Sequence, residues 1–426
     1  MGRLFVAFSA LDDAIFLYPL YTLLFADTGL STGEISFLLG LWAGAAFVLE
    51  VPSGVLADRL SRRHLLAVGA VLRAAGFALW ICLPSFPAFS VGFVAWSAQG
   101  ALKSGTLQAL VYDELAAAGA ESTYDRLLGR SAAAEGAAGL VATALAAPLF
   151  AFGGYQVVGW ASVAMGLAQV PVALAFPAVP RTGVESEPTG MRAYVATLRA
   201  GVAEAVRDPA VRRLTLLTGL LPGLVAFDEY LPLLARAVGV PDPYVPLLMV
   251  VPGVAMVVAA MQVAARRWRY VVAPVALAVA AFLVGAGAAA TSTLGVVAIG
   301  AGIGAFHLAR LLLDARLQHA ITGPARATVT SLSGVLSEGA ALAVFAAFGV
   351  GSVWLPMGWL FVADGLLVAL CAAYVTVDVV RGRRACGPAR VRPDRRRFRR
   401  SHHRPYRPYR PRRPRPGERA GGGPRR

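Results

Sequence analysis

Gly54-Val55-Leu56-Ala57-Asp58-Arg59-Leu60-Ser61-Arg62-Arg63-His64 is a short run of small and charged residues wedged between two long apolar stretches. Taken alone, it fits any positively charged turn at a membrane surface. Its place decides the fold, because it joins the second and third of twelve apolar segments of membrane length. A hydrocarbon core about 30 Å thick asks for about 20 helical residues per crossing. The candidates run 4–26, 34–56, 64–84, 87–112, 130–152, 155–177, 212–235, 243–265, 270–290, 294–316, 326–349 and 354–380. Composition agrees: 57% hydrophobic residues, 15% charged residues and a mean hydropathy of +0.62 are too apolar for a soluble globule of 426 residues. The runs are long and continuously apolar, which excludes the short alternating strands of a membrane barrel. The expected fold class is an all-α membrane protein with twelve transmembrane helices.

Charge sets the orientation. Arg59, Arg62 and Arg63, then Arg126 and Arg130, then Arg192 to Arg213, Arg266 to Arg269, and Arg316 with Arg326 fall in alternate connections. In the opposite connections only Arg236 is basic. The positive-inside rule places both termini in the cytoplasm, as an even helix count requires. Asp12 and Asp13 interrupt the first segment, so it does not read as a cleaved signal peptide. The net charge of +16 is concentrated in the tail, where 19 arginines from Arg381 onward face only Asp394 and Glu418. The membrane body is close to neutral, which argues against nucleic acid as the partner. The Arg/Pro-rich stretch 381–426 lacks apolar periodicity and is expected to be a disordered cytoplasmic tail against anionic lipid headgroups. Cys82, Cys371 and Cys386 suggest no pairing, and neither a metal-ligand spacing nor a Walker A sequence occurs. No cofactor, metal or enzymatic constellation is expected.

The chain reads as two halves, a six-helix bundle over 1–177 and another over 212–380. A linker at 178–211 contains an amphipathic helix, Met191–Val206. Tyr112-Asp113-Glu114 closes segment four as Leu313-Asp314-Ala315-Arg316 closes segment ten, and Glu135-Gly136 in segment five matches Glu338-Gly339 in segment eleven. Such paired halves are used by alternating-access transporters, with the site at the midplane.

The Gly54–His64 run resembles the cytoplasmic loop signature of the major facilitator superfamily, G-x-L-a-D-r-x-G-r-R/K, with Ser61 replacing its second glycine. Trp96-Ser97-Ala98-Gln99-Gly100 is similar to the superfamily's fourth-helix R-x-x-Q-G element, with Trp96 in the arginine position and Lys103 as the nearby base. Ser104 to Asp113 resembles a run found in bacterial permeases described as drug or macrolide exporters. The fifth-helix glycine-proline motif of antiporters is not met, since 131–147 has no proline and Pro148 comes late. The resemblance covers roughly residues 4–380. It implies that helices one, four, seven and ten line a central cavity, and that Gly54, Asp58, Arg59, Arg62, Arg63, Asp113 and Arg130 form an inner gate. In that gate Asp58 would pair with Arg62 and face Arg326 and Thr328, while Asp113 or Glu114 would join Arg59 or Arg130.

Charges inside the bilayer cost a few kcal/mol each at a helix centre and need a reason. Asp12, Asp13 and Lys103 fall near mid-depth, His307 lies at comparable depth in segment ten, and Asp228 and Glu229 lie in the outer half of segment seven. Asp12 or Asp13 is expected to be the proton-linked carboxylate, with Lys103 its counter-charge; a permanent structural pair is the alternative. Asp228, Glu229 and His307 are further proton-coupling candidates, unless one of the two carboxylates merely holds Arg236. Glu50 and Arg73 are expected to form a structural ion pair. Glu135, Glu338 and Asp364 are left to hydrogen bonding between helices. Trp96, Gln99, Tyr18, Tyr230, Phe306 and Lys103, along with Tyr21 and Phe227, are the substrate-cavity candidates.

These readings point to a monomeric, proton-coupled secondary transporter of small organic molecules in the inner (plasma) membrane, with efflux of drug-like or amphipathic compounds as the expected direction. Uptake of a nutrient or metabolite is the alternative within the same fold. A non-transporting sensor or scaffold that recruits partners through its basic tail is the alternative from another class.

Overall fold

The structure is a computed structural model that describes residues 1–177, 199, 209–265, 270–321 and 326–385. All but one residue of the expected connector helix 191–206, the basic turn 266–269 and the chain beyond 385 lie outside the described residues, as do the side chains of Asp58, Arg59, Arg326 and Thr328.

The described chain is helical, with no strand among the described residues. Its α-helices are α1 (Gly2–Asp13), α2 (Tyr21–Asp27), α3 (Thr32–Arg59), α4 (Arg62–Cys82), α5 (Phe86–Lys103), α6 (Thr106–Ala117), α7 (Tyr124–Leu174), α8 (Pro209–Leu224), α9 (Leu231–Ala237), α10 (Val245–Ala264), α11 (Ala273–Ala289), α12 (Thr293–Ala320), α13 (Arg326–Gly351) and α14 (Met357–Ala385). In hydrocarbon the backbone must satisfy its own hydrogen bonds, and long apolar helices do so without help from solvent. Ser31 starts α3 with a reciprocal cap: its hydroxyl accepts from the Glu34 amide at 3.2 Å, and the Glu34 carboxylate accepts from the Ser31 amide at 2.8 Å.

Twelve crossings result, but three of them are interrupted where the sequence suggested continuous helices. The first breaks after Asp13 and resumes through a 3-10 turn at Tyr18–Leu20, where Pro19 has no amide hydrogen to continue the ladder. The fourth is divided between α5 and α6 at Gly105, whose φ of +67° is open to glycine at little cost. The seventh passes from α8 to α9 through a 3-10 stretch, Val225–Tyr230, followed by Pro232. The fifth and sixth crossings run together as α7 and turn at Gly153 and Gly154, where Gly154 has a φ of +60°.

Residues Met1–Val379 form one compact unit; of the second, Val380–Arg426, only the end of α14 is described. Within the first unit, the halves meet where α3 packs on α13 and where α7 packs on α10. An aromatic cluster fills the N-terminal half: Phe25 lies 4.2 Å from Phe89 and 5.1 Å from Trp80 between ring centroids, and Trp42 lies 5.0 Å from Trp96. In the other half α11 and α12 approach closely, since a Cβ on Gly295 would lie 2.1 Å from the Gly287 carbonyl oxygen.

Candidate functional site

Asp12 is the centre of a buried polar network at mid-depth in the N-terminal half. It is 8% exposed and Arg73 is 2% exposed. Arg73 Nη1 donates to Asp12 Oδ1 at 2.9 Å and to the Asp12 carbonyl at 2.5 Å, while its Nη2 donates to Gln169 Oε1 at 3.0 Å. Gln99 and Gln169 each donate an amide hydrogen to Asp12 Oδ1, at 2.8 and 2.9 Å. Lys103 binds Asp12 Oδ2 and also reaches Glu135 at 3.1 Å. A buried carboxylate is tolerated when cations and donors occupy its lone pairs, and Asp12 meets that condition.

This arrangement corrects the pairing expected for Arg73. Glu50 is exposed and accepts from the Ser104 hydroxyl at 2.7 Å, whereas Arg73 turns from the third crossing toward the first and sixth. Comparable depth did not reveal which face of α4 carries the arginine. Asp13, one residue from Asp12, makes none of these hydrogen bonds and is exposed, with Glu135, Asp12, Lys103 and Arg73 within electrostatic reach. Its carboxylate lies against the fifth crossing, where a Cβ on Gly139 would come within 2.2 Å of Asp13 Oδ2.

The 3-10 stretch of the seventh crossing joins the two halves. With three residues per turn, successive side chains fan out, so that Glu229 meets the first crossing and Tyr230 meets the second. Tyr18 and Tyr21 both donate their hydroxyls to Glu229, the former at 3.0 Å. The Ser36 and Tyr230 hydroxyls lie 2.7 Å apart. At the adjoining arginine-poor end, Arg236 binds Asp27 of the other half and Asp242 of its own, and Tyr155 donates to Asp27 at 2.5 Å. The Arg236 partners are therefore Asp27 and Asp242, not Asp228 or Glu229.

Several cavity candidates are sealed by packing. Phe306 is buried in the core of the C-terminal half with Leu221 and Leu277; Phe227 is buried against Phe361; and Tyr230 stacks on Phe348 at 4.5 Å. Gln99 is committed to Asp12 and Tyr21 to Glu229. The 3-10 stretches aim Tyr21, Phe227 and Tyr230 differently from a continuous helix, whereas Phe306 and Gln99 take their places on unbroken helices. Tyr18, at 40% exposure, half-buried Trp96 and Lys103 keep accessible surface, and Tyr18 meets Trp96 edge to face at 6.4 Å. His307 is half-buried, with Nδ1 3.4 Å from Arg310, which in turn pairs with Asp314.

At the arginine-rich end, Arg62 pairs with Asp113 at 2.5 Å, joining the turn after α3 to α6. Asp113 thus meets Arg62, while the side chain of the expected partner Arg59 lies outside the described residues; Arg130 is exposed and Gly54 lies on an open face of α3. The expected Asp58 contacts lie outside the described residues. In the C-terminal half, Asp378 sits between Arg213 and Arg316, at 3.3 and 3.6 Å.

Gln169, Ser36, Asp27, Tyr155 and Asp242 went unnoticed in the sequence. Gln169 carried a signal, a lone amide inside an apolar segment, whereas the other four look like ordinary residues of helix ends and connections.

Nucleoside transporter NupG superposes with a TM-score of 0.70 at 12% identity, covering 88% of this chain and 98% of that one. A bacterial homolog to the human lysosomal transporter Spinster, solved in an inward-facing and unoccupied conformation, superposes with a TM-score of 0.65 at 14% identity, covering 88% and 95%. No curated protein sequence matches the chain. The Major Facilitator Superfamily model matches residues 4–344, most of the length, and with the twelve-crossing fold this places the protein in a family of membrane transporters rather than enzymes: the chain belongs to the major facilitator superfamily.

Proposed function

We propose that the protein is a proton-coupled secondary transporter of small organic molecules that works by alternating access between its halves, 1–177 and 212–380. The observation that carries this reading is the contrast between two neighbouring carboxylates: Asp12 is held by Arg73, Lys103 and two amides, while Asp13 is exposed beside Glu135. A carboxylate so fully partnered is a structural anchor. Asp13 can bind and release a proton without dismantling the network, so it, and not Asp12, is the coupling group in the N-terminal half.

The second element of the cycle is Glu229, which ties the halves through Tyr18 and Tyr21. If the arginine-rich connections are cytoplasmic, the tied end is the outer one, and the described state opens inward. Tyr18, Trp96 and Lys103 then offer an amphipathic surface to substrate. Efflux is the direction favoured by the likeness of Ser104–Asp113 to exporter sequences. The linker 178–211 connects the halves in the cytoplasm, and the 381–426 tail rests on anionic lipid at the inner face of the plasma membrane. The transporting unit is a monomer in this reading, both halves being supplied by one chain.

The test is purification, a thermal-shift screen of antibiotics, metabolites and sugars, then transport of any hit in proteoliposomes with and without a pH gradient. A ligand at about 100 times its Kd adds roughly 2.7 kcal/mol to the folded state, enough to move a melting curve. Accumulation that follows the pH gradient and is lost in Asp13→Asn supports the proposal. Accumulation indifferent to the gradient sinks proton coupling, and the absence of any transported hit sinks the transporter reading. Retained partner binding that requires the tail would then favour the scaffold.

A further inference from the structure

One buried carboxyl stands apart from the contacts described above. Asp364, on α14 in the twelfth crossing, is 3% exposed, and its Oδ2 has no hydrogen-bond partner. The hydrogen bond between helices expected for it is not made by that oxygen. Its surroundings are tight and apolar. Three residues before it, Phe361 packs edge-on against Phe227 and Phe348 at 5.4 and 5.6 Å, and one residue after it Gly365 lies against the backbone of α11, at Ala281 and Gly285.

The described arginines of this half that form ion pairs are engaged elsewhere. Arg236 holds Asp27 and Asp242, Arg310 holds Asp314, and Arg213 and Arg316 share Asp378. The titratable groups within electrostatic reach of Asp364 are Asp228, from the 3-10 stretch packed beside it, and Cys371, on its own helix. The packed face of α11 and the Phe348 region of α13 contribute no charged side chain. On the 3-10 turn, Glu229 and Tyr230 are directed to the first and second crossings; half-buried Asp228 lies within electrostatic reach both of Tyr18 and Tyr21 in the first crossing and of Asp364.

We propose that Asp364 is a proton-binding site of the C-terminal half, and that its proton exchanges with the cavity through Asp228. An ionised carboxylate here would lack its hydration, a counter-ion and a hydrogen bond to one oxygen at the same time; a bound proton removes the charge and leaves an acid that the apolar packing accepts. The twelfth crossing is then more than scaffold. During the cycle the 3-10 stretch that releases Glu229 from Tyr18 and Tyr21 also moves Asp228, so opening of the tied end and access to the buried proton become one event. The exchanged species is a proton alone, passed from one carboxyl to the other, and no further reactant is needed. The role in turnover rests on the transporter reading above, whereas proton binding does not.

Infrared spectroscopy of the full-length protein in lipid at neutral pH tests the site directly. The wild type should show the carbonyl stretch of a protonated carboxylic acid. Asp364→Asn should remove one component of that band, and Asp228→Asn should slow its exchange in deuterated buffer. An unchanged band in Asp364→Asn overturns the proposal. Melting temperature supplies a second reading: asparagine mimics the neutral acid and should leave stability nearly unchanged, whereas a marked drop with asparagine would mean that Asp364 is an ionised structural partner. In proteoliposomes, Asp364→Asn should lose gradient-driven accumulation and keep equilibrating exchange; retained accumulation overturns the role in turnover. Loss of the band together with absence of transport in every variant, wild type included, would leave the proton site standing and bring down the transporter reading instead.

Discussion

Arg236 binds Asp27 across the interface of the two halves through both terminal nitrogens, at 2.6 and 3.0 Å, while its Nε and Nη2 hold Asp242 of its own half at 2.8 Å each. One guanidinium therefore serves a mobile partner and a permanent one. When the halves part, Arg236 keeps Asp242, so opening forfeits the Asp27 and Tyr155 contacts and leaves no unpaired cation. Asp242 works as the resting place that makes this contact reversible.

Opposite responses are expected from the two carboxylates. Asp27→Asn should weaken the tie and shift the population toward opening at this end, while Asp242→Asn should make Arg236 depend on Asp27 and hold the end closed. The shift is on the order of 1 kcal/mol for partly exposed pairs of this kind. Distances between spin labels at exposed Leu83 and Tyr244, in a background without native cysteines, would lengthen in the first variant and narrow in distribution in the second. The same direction of change in both would rule out the switch.

Asp12 and Glu50 should differ sharply. Asp12→Asn removes the carboxylate that Arg73 and Lys103 share, and a buried cation that loses its partner costs about 3 kcal/mol or more. Glu50→Gln on an exposed helix face should stay within about 0.5 kcal/mol. Thermal or denaturant unfolding in detergent would separate the two, and equal effects would restore the Glu50–Arg73 pairing.

For Asp13 a functional loss without a structural one is expected. Its exposed position allows Asp13→Asn to fold with a melting temperature close to that of the wild type, while transport loses its response to the pH gradient. A collapsed melting temperature would instead mark Asp13 as part of the Asp12 network.

Two glycines report on packing and backbone. A Cβ on Gly92 would sit 1.9 Å from Trp80 Nε1, which donates to the Phe89 carbonyl at 3.2 Å, so Gly92→Ala must displace the indole. Destabilisation of about 1–3 kcal/mol and altered tryptophan emission should accompany it. Gly105→Ala has open space for its methyl but places a side chain at a φ of +67°, with an expected cost of about 1 kcal/mol from backbone strain. Unperturbed stability in the second variant would indicate that the fourth crossing can run straight through.

Much of the architecture could be read from the chain. Twelve apolar segments interrupted by short connections leave few alternatives, because hydrocarbon admits only helices with internally satisfied backbones or closed barrels. The superfamily was legible as well, from the Gly54–His64 run and the Gln99-Gly100 pair. The paired halves showed through the matching positions of Asp113 and Asp314, and of Glu135 and Glu338.

Side-chain partnership was not legible to the same degree. Hydropathy gives the depth of a residue along a helix, but pairing depends on its angle around the helix and on how the helices pack. Depth alone pairs Arg73 with Glu50, whereas its angle around the helix gives it Asp12. Asp12 and Asp13 are adjacent in sequence and similar in depth, yet one is enclosed by four side chains and the other is exposed. The 3-10 stretch before Pro232 changed the angle further for Phe227 and Tyr230, which became core rather than cavity, whereas Phe306 packs into the core from the unbroken α12.

The sequence by itself determined that this chain spans a membrane twelve times, which superfamily it belongs to, and which few charges must be accounted for inside the bilayer, since the cost of burying backbone and charge in hydrocarbon acts on each segment separately. Only the tertiary structure decided that Asp12 is satisfied while Asp13 is exposed, that Glu229 and Arg236 tie the halves at the arginine-poor end, and that Asp364 has a buried oxygen without a partner. Those outcomes depend on contacts between residues as far as 211 positions apart, and such contacts are set by packing that no single segment encodes.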